Sequence, residues 1–178
     1  MQGAREAPSN PVYLADAPVA IETIERALDL SQQGSYAEAA RTLQTLIVEH
    51  GDRLTPSIED PSVSIPVRKR IEGVLQSDPK LLDSYRRIHT SKAQRLFDDG
   101  DWNTVWMEFW LTEPGYHSGL NHAQVMIESA RFSTGLRTLA RLADHPDATV
   151  NAQRAINLAE TAWRGYPNDE SREVLLRW

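Results

Sequence analysis

The sequence predicts an all-α protein. Apolar residues recur every three or four positions through most of the 178 residues, and glycine or another small residue separates the periodic segments. Period-two alternation is limited to one short candidate strand, Val63-Ser64-Ile65. With 40% hydrophobic and 25% charged residues, a chain of this length can bury a substantial core, and its composition is that of a globular protein.

The first residues of the chain are rich in proline. Pro8, Pro11 and Pro18 fall within 18 residues that show little periodicity. Proline fixes its own φ and keeps the preceding residue out of the helical region. We therefore predict an extended leader or tether over residues 1–18 and a single helical domain over residues 19–178.

The domain begins with a predicted helix hairpin over residues 19–50. Apolar residues such as Ile24 and Leu28 form a helical stripe that stops at Gly34, a residue suited to a left-handed helix end. Ser35 can cap a second helix, whose apolar stripe continues to His50.

A proline-rich segment follows the first hairpin. Pro56, Pro61 and Pro66 exclude a regular helix, so residues 51–66 are predicted to form one long loop. The remaining helices are expected within residues 67–178, where helical patterns cover 67–77, 79–98, 102–112, 117–130, 132–143, 149–164 and 168–177.

The turns between helices align as an internal repeat. The turn residues are Gly34, Gly100, Ala130 and Gly165. Alanine lies seven residues before the first three of them, at 27, 93 and 123, and a large apolar residue lies nine residues after each turn. Small residues let two antiparallel helices approach closely, and large ones fill the space beside them. An irregular bundle with chance regularity is the alternative.

The repeat resembles the tetratricopeptide repeat in a degenerate form. That family has an Ala-x-x-x-Phe element, which this chain matches as Ala39-x-x-x-Leu43, Val105-x-x-x-Phe109 and Gly135-x-x-x-Leu139, although the first-helix tryptophan is missing throughout. The resemblance implies antiparallel helix hairpins stacked in a right-handed superhelix.

A second resemblance covers most of the chain. Pro66-Val67-Arg68, Leu81-x-x-x-Tyr85-Arg86 and Phe109-x-x-Thr112-x-x-Gly115, in this order, are similar to the helical region before PQQ-type β-propellers of planctomycete-like bacterial proteins. It implies a non-catalytic region joined to a propeller and an extracytoplasmic or periplasmic location, with a cytoplasmic one as the alternative. The apolar end at Trp178 favours a fragment of a longer chain.

Composition and spacing exclude several classes of function. Cysteine is absent, which removes disulfides and thiol catalysis, and the net charge of −6 argues against nucleic-acid binding. A membrane span is not expected, because no stretch of 18 consecutive apolar residues occurs. Neither a cofactor nor a metal is expected: the five histidines lack ligand spacing, and Asp101 is better suited to capping a helix than to binding calcium.

A tryptophan-rich helix supplies the candidate binding residues. The repeat alignment directs Trp102 towards the partner helix, Trp106 towards the following hairpin and Trp110 outwards. Trp110 is therefore the candidate partner anchor, and burial in the core is the alternative. Residues 66–95 hold eight basic and three acidic residues, a net charge of +5. With Trp110 and Trp106, the predicted partner-binding residues are Arg68, Lys69, Arg86 and Arg87.

These observations favour a non-enzymatic scaffold that binds another protein or an adjoining domain. The nucleophile-elbow, P-loop and dinucleotide-binding motifs are all missing from the sequence. The alternative is an all-α hydrolase that acts on a polymer with a glutamate in an aromatic groove, for which Glu108, Glu113 and Glu128 are the candidates.

Overall fold

The computed structural model describes residues 18–57, 60, 62–150 and 152–178. The all-α prediction is confirmed, because the described residues form nine helices and one small two-stranded sheet. The predicted leader lies outside the described residues apart from Pro18, which begins the first helix. Proline suits this position because the first amide of a helix has no helical acceptor.

The helices follow one another with short connections. In chain order they are α1 Pro18–Gln32, α2 Tyr36–His50, α3 Val67–Ser77, α4 Pro79–Asp98, α5 Trp102–Glu108, α6 Glu113–Glu128, α7 Phe132–Ala143, α8 Ala152–Gly165 and α9 Asp169–Arg177. The bounds of α3, α4 and α7 are those that the sequence predicts.

The junction between α5 and α6 differs from the prediction. The sequence predicts helices over 102–112 and 117–130, whereas α5 ends at Glu108 and α6 begins at Glu113. Thr112 is the reason, since its hydroxyl donates to the Phe109 carbonyl at 2.7 Å and accepts the Gly115 amide at 3.2 Å. This threonine caps α6 and leaves residues 109–112 outside both helices.

The proline-rich segment is more ordered than the predicted long loop. Strand β1, Leu54–Pro56, pairs antiparallel with strand β2, Ser64–Pro66, so that Thr55 lies opposite Ile65. The Ser57 amide extends the pairing by donating to the Val63 carbonyl at 2.8 Å. Each strand ends in proline, a residue without a backbone N–H. Both are edge strands, which tolerate proline because only some of their amides take part in the ladder.

Three of the aligned turns have the same backbone structure. Gly34, Gly100 and Ala130 all have positive φ, at 80°, 82° and 58°. The next amide in each case donates to the carbonyl four residues before the turn residue, at 2.8–2.9 Å, which is a Schellman helix end. Gly165 departs from this pattern, since the described positive-φ residues do not include it.

Consecutive helices form hairpins that contact their neighbours. The pairs are α1 with α2, α4 with α5, α6 with α7 and α8 with α9. Helix α3 contacts both α2 and α4, which also pack directly against each other. Adjacent hairpins touch through α4 with α6, α6 with α8 and α7 with α9. The aligned residues Ala27, Ala93 and Ala123 are fully buried, as expected of helix crossings.

Candidate functional site

Trp110 is buried, so the prediction that it faces outwards is wrong and the alternative, burial in the core, is confirmed. Only 5% of it is exposed, and its ring packs edge-on against Trp106 at 4.7 Å and His145 at 4.8 Å. The prediction failed because it continued the α5 helix through residue 112. In the structure Trp110 lies in the link to α6, where the chain direction has changed.

Trp106 packs on the following hairpin, as the repeat alignment predicts. Its ring lies nearly parallel to that of His122 on α6, with centroids 6.1 Å apart, and 9% of the residue is exposed. Gly119 leaves the space for this ring, since a Cβ built there would lie 2.1 Å from Trp106 Cζ3. A glycine is required at this position because of close approach.

The four predicted basic residues do not gather around Trp110 at the surface. Arg86 turns inwards and donates to the Leu111 carbonyl and to Asp147, both at 2.8 Å. Arg68 donates to the Met107 carbonyl at 3.3 Å and pairs with Asp52. Lys69 and Arg87 are exposed, with Lys69 3.8 Å from Glu72 and Arg87 3.4 Å from the Ser84 hydroxyl.

A partly buried ion pair contacts the tryptophans instead. Arg141 on α7 donates to the buried Glu72 on α3, and its guanidinium carbon lies 4.1 Å from the Trp110 ring centroid and 4.8 Å from that of Trp106. Burial raises the pKa of Glu72 above its ordinary value, against the attraction of Arg141. The sequence signal was Glu72 beside Ile71 on the apolar face of α3, and it went unrecognised.

The ion pair does not form a substrate site. The cavity beside it, which Glu72 and Glu108 both line, has a volume of about 10 Å³. This is about the space of a single water molecule. Glu72 therefore acts as a structural carboxylate that fixes α7 against α3.

His145 is a neutral core residue beside the same tryptophan. Its Nε2–H donates to the Trp110 carbonyl at 2.7 Å, and its Nδ1 accepts the Asp147 amide at 3.0 Å. Burial lowers the pKa of His145 to about 4. The ring is then uncharged at neutral pH, so its 3.7 Å approach to the Asp147 carboxylate is not an ion pair.

Two of the three candidate hydrolase glutamates lie at opposite ends of α6. Glu113 begins α6 and Glu128 ends it, a separation of about 22 Å along the helix axis. Glu113 is exposed, 3.8 Å from His117, and Glu128 accepts a hydrogen bond from Gln124 at 2.7 Å. Glu108 offers its backbone carbonyl to the Tyr85 hydroxyl at 3.2 Å.

An open pocket between the start of α5 and the side of α6 is the best candidate site. We call it the aromatic pocket. Its volume is about 310 Å³, and its rim carries Trp102 and Val125, which are 43% and 46% exposed. The full lining is Gly100, Asp101, Trp102, Asn103, Trp106, Ser118, Asn121, His122 and Val125.

Two tryptophans present ring surfaces to the aromatic pocket. The indole N–H of Trp102 already donates to the Phe97 carbonyl at 3.1 Å. The ring centroids of Phe97 and Trp102 lie 6.2 Å apart. Trp102 thus contacts the preceding helix, as predicted, and still exposes much of its ring. What it offers to a ligand is apolar surface.

The α6 side of the pocket is polar and uncharged. Ser118, Asn121, His122 and Val125 follow helical spacing along one face. The Ser118 hydroxyl is buried without a hydrogen-bond partner among the described residues. Burial lowers the pKa of His122, which favours the neutral form of its ring. Sequence reasoning missed this face because a mixed polar and apolar stripe looks like an ordinary partly exposed helix.

The carboxylate at the rim already has a structural role. Asp101 accepts the Thr104 amide at 3.2 Å and so caps α5, as the sequence predicts. No group of three or more potential metal-ligating His, Cys, Asp or Glu side chains occurs in the part of the chain that the structure describes. None of the described helices combines the length and apolar character needed to cross a bilayer.

Comparison with known proteins identifies no relative. A scan against protein-family models finds no match, and neither a search of curated proteins nor a search of solved structures finds a significant one. The function is therefore inferred from the residues of the aromatic pocket.

Proposed function

We propose that this chain is a non-enzymatic interaction scaffold whose aromatic pocket receives a segment of another protein or of an adjoining domain. The observation that carries the proposal is the exposure of Trp102 and Val125 on the rim of a 310 Å³ pocket. Tryptophan is enriched at interface hot spots, and concave apolar sites with a few polar groups are typical binding sites.

The proposal includes a tetratricopeptide-like stack of hairpins in a right-handed superhelix. Three structurally equivalent turns, at Gly34, Gly100 and Ala130, support it. The contacts of each hairpin with its neighbours also agree with a repeat stack, in which a groove between units is a natural binding surface. By the resemblance to propeller-associated proteins, we propose a β-propeller as the adjoining domain and an extracytoplasmic location.

The charged residues that remain exposed fit a supporting role. Lys69 and Arg87 lie outside the aromatic pocket on α3 and α4. Exposed charges of this kind mainly raise the rate of association with an acidic partner, and salt screens their effect. We expect them to steer a partner rather than to anchor it.

Selection of binding peptides tests the proposed function. A library of random peptides displayed on phage is selected against the protein, and affinities of the selected peptides are measured by fluorescence anisotropy. Trp102→Ala should weaken binding by about 30-fold or more, which corresponds to about 2 kcal/mol for a hot-spot residue.

Tyr166→Ala is the matched control. Tyr166 has the same exposed fraction as Trp102, 43%, but lies outside the aromatic pocket. Selected peptides should bind this variant as they bind the wild type, and thermal melts should show that both variants are folded. The proposal fails if selection yields no peptide whose affinity depends on Trp102.

A further inference from the structure

We infer that the aromatic pocket receives a cationic side chain, arginine or lysine, which packs on the Trp102 ring and pairs with the Asp101 carboxylate. Both residues line the pocket. This inference rests on the proposed function, since the cation belongs to the segment that the scaffold binds. It adds the chemical class of the group that enters the pocket.

Trp102 supplies the ring surface for the cation. It is 43% exposed on the pocket rim, and its indole N–H is already bonded to the Phe97 carbonyl. Trp106 offers less, because His122 stacks on its ring at 6.1 Å and the Arg141 guanidinium lies 4.8 Å from its centroid. An exposed indole face attracts a cation through the ring quadrupole, and tryptophan is the strongest such partner among the aromatic side chains.

Asp101 supplies the counter-charge beside that ring. It is exposed, and its Oδ1 atom accepts the Thr104 amide at 3.2 Å. Its Oδ2 atom has no hydrogen-bond or ion-pair partner among the described residues. The exposed Asp98 and Asp99 precede it in the same turn and add to the negative potential. A ligand cation can therefore bond to Oδ2 and leave the helix cap intact.

The core of the protein already contains the same combination of groups. The Arg141 guanidinium carbon lies 4.1 Å from the Trp110 ring centroid while the guanidinium donates to the Glu72 carboxylate. There the cation comes from α7 of the same chain. At the aromatic pocket, the start of α5 presents an exposed carboxylate next to an exposed indole, and the bound segment would supply the cation.

The cations of the described residues leave the Trp102 ring accessible. Their contacts with aromatic rings are those to Phe109, Trp106 and Trp110. Arg154 reaches the pocket lining from α8, but it donates to Asn121 on the α6 side, at 2.7 Å. Lys69 and Arg87, to which the proposed function assigns steering, lie outside the lining. They therefore do not oppose a cation at this site.

The Asp101 carboxylate disfavours other classes of ligand. An acidic side chain or a phosphate would meet it as a like charge. A neutral aromatic or aliphatic side chain can contact Trp102 but gains no charge attraction from Asp101. A cation gains from both groups at once, which favours arginine and lysine over the other side chains.

An NMR titration with blocked amino acids tests the preference for charge. N-acetyl-argininamide is compared with its neutral isostere N-acetyl-citrullinamide, and N-acetyl-lysinamide with its Nε-acetylated form. The indole signal of Trp102 in the ¹⁵N-labelled protein should shift saturably with the cationic probes. At least one cation should bind about fivefold more tightly than its neutral counterpart, the combined effect of a cation–ring contact and an exposed ion pair.

Asp101→Asn isolates the contribution of the carboxylate. Asparagine is an equally good N-cap, so α5 should remain capped while the charge is lost. The preference for the cation should fall to about twofold, the part that the Trp102 ring retains. A fivefold preference that persists in this variant would overturn the assignment to Asp101.

Asp78→Asn is the matched control. Asp78 also caps a helix with its carboxylate, and it lies outside the aromatic pocket. Both substitutions remove one negative charge, so a general attraction of cations to the net charge of −6 would weaken equally in the two variants. We expect Asp78→Asn to keep the fivefold preference, and equal losses in the two variants would overturn the inference.

Other outcomes separate this inference from the proposed function. Equal affinities within both probe pairs, or shifts with methyl glucoside but with neither cation, would overturn the inference. So would the absence of any Trp102 shift up to the solubility limit of the cationic probes. Selected peptides that depend on Trp102 but bind equally well after their arginine and lysine residues are replaced by glutamine would overturn the inference alone. If no selected peptide depends on Trp102, the proposed function fails, while the titration still decides the preference for a cation.

Discussion

The Arg141 guanidinium carbon lies 4.1 Å from the ring centroid of Trp110 while the same guanidinium donates to Glu72. A cation over an indole face is attracted by the ring quadrupole, and the attraction strengthens when the pair is removed from water. The contact therefore joins α3, the link between α5 and α6, and α7. Trp110 is thus a core residue at which these three elements meet.

Replacement of Trp110 should destabilise the protein. Trp110→Ala removes a large ring that packs against Trp106, His145 and Arg141 and leaves a cavity that these residues cannot close. The expected loss is about 3–5 kcal/mol of unfolding free energy, measured by urea denaturation.

Trp102→Ala is the control for this experiment. Because Trp102 is far more exposed than Trp110, its loss should cost clearly less unfolding free energy. Equal losses in the two variants would contradict the assignment of Trp110 to the core and of Trp102 to the surface.

Two glycine replacements should have opposite effects. Gly119→Ala would place a methyl group 2.1 Å from Trp106 Cζ3, so overpacking should cost about 1–3 kcal/mol. Gly73→Ala in α3 meets no atom within 4 Å and should stabilise the helix by about 0.5–1 kcal/mol. Thermal melts of the two variants compare these effects, and a stabilised Gly119→Ala protein would disprove the packing of Trp106 on α6.

Local signals predicted the helices, and long-range contacts decided the rest. The bounds of α3 and α4 follow from Pro66, from Pro79 and from the Asp78 side chain, which accepts the Lys80 and Leu81 amides. The burial of Trp110 depends on Arg141 and Glu72, which lie 31 and 38 residues away from it in the sequence. Similarly, the aromatic pocket exists because α5 meets α6 at Gly119, which no local pattern specifies.

The equivalent turns at Gly100 and Ala130 predict opposite effects on stability when glycine and alanine are exchanged. Ala130 adopts a left-handed φ of 58°, a conformation that costs about 1–2 kcal/mol in residues with a Cβ. Ala130→Gly should therefore raise the melting temperature. Gly100→Ala should lower it, because Gly100 has a φ of 82°, which strains a residue with a Cβ. The added Cβ would meet no atom within 4 Å, so the loss would come from backbone conformation alone.

The comparison isolates backbone conformation from packing. If the turns at Gly100 and Ala130 are equivalent, the two substitutions should change the free energy of unfolding by similar amounts with opposite sign. A destabilised Ala130→Gly protein would show that the alanine side chain, rather than its backbone strain, governs this turn.

The burial of His145 predicts a specific dependence of stability on pH. Burial lowers the pKa of this residue from 6.5 to about 4, so the folded protein keeps the ring neutral where the unfolded chain protonates it. The stability that the neutral His145 ring contributes is fully present above about pH 6.5 and should be lost as the pH falls from there towards about 4. In that range His145 alone should lower the free energy of unfolding by about 1.4 kcal/mol for each unit that the pH falls.

His145→Gln separates this contribution from those of other groups. His89 and His122 also have pKa values lowered by burial and add slopes of the same sign, so the difference between the wild type and the variant is the quantity to measure. Glutamine can still donate to the Trp110 carbonyl. Urea unfolding between pH 7 and pH 5 should give a shallower dependence of the unfolding free energy on pH for His145→Gln than for the wild type. Parallel curves for the two proteins would mean that folding does not lower the pKa of His145.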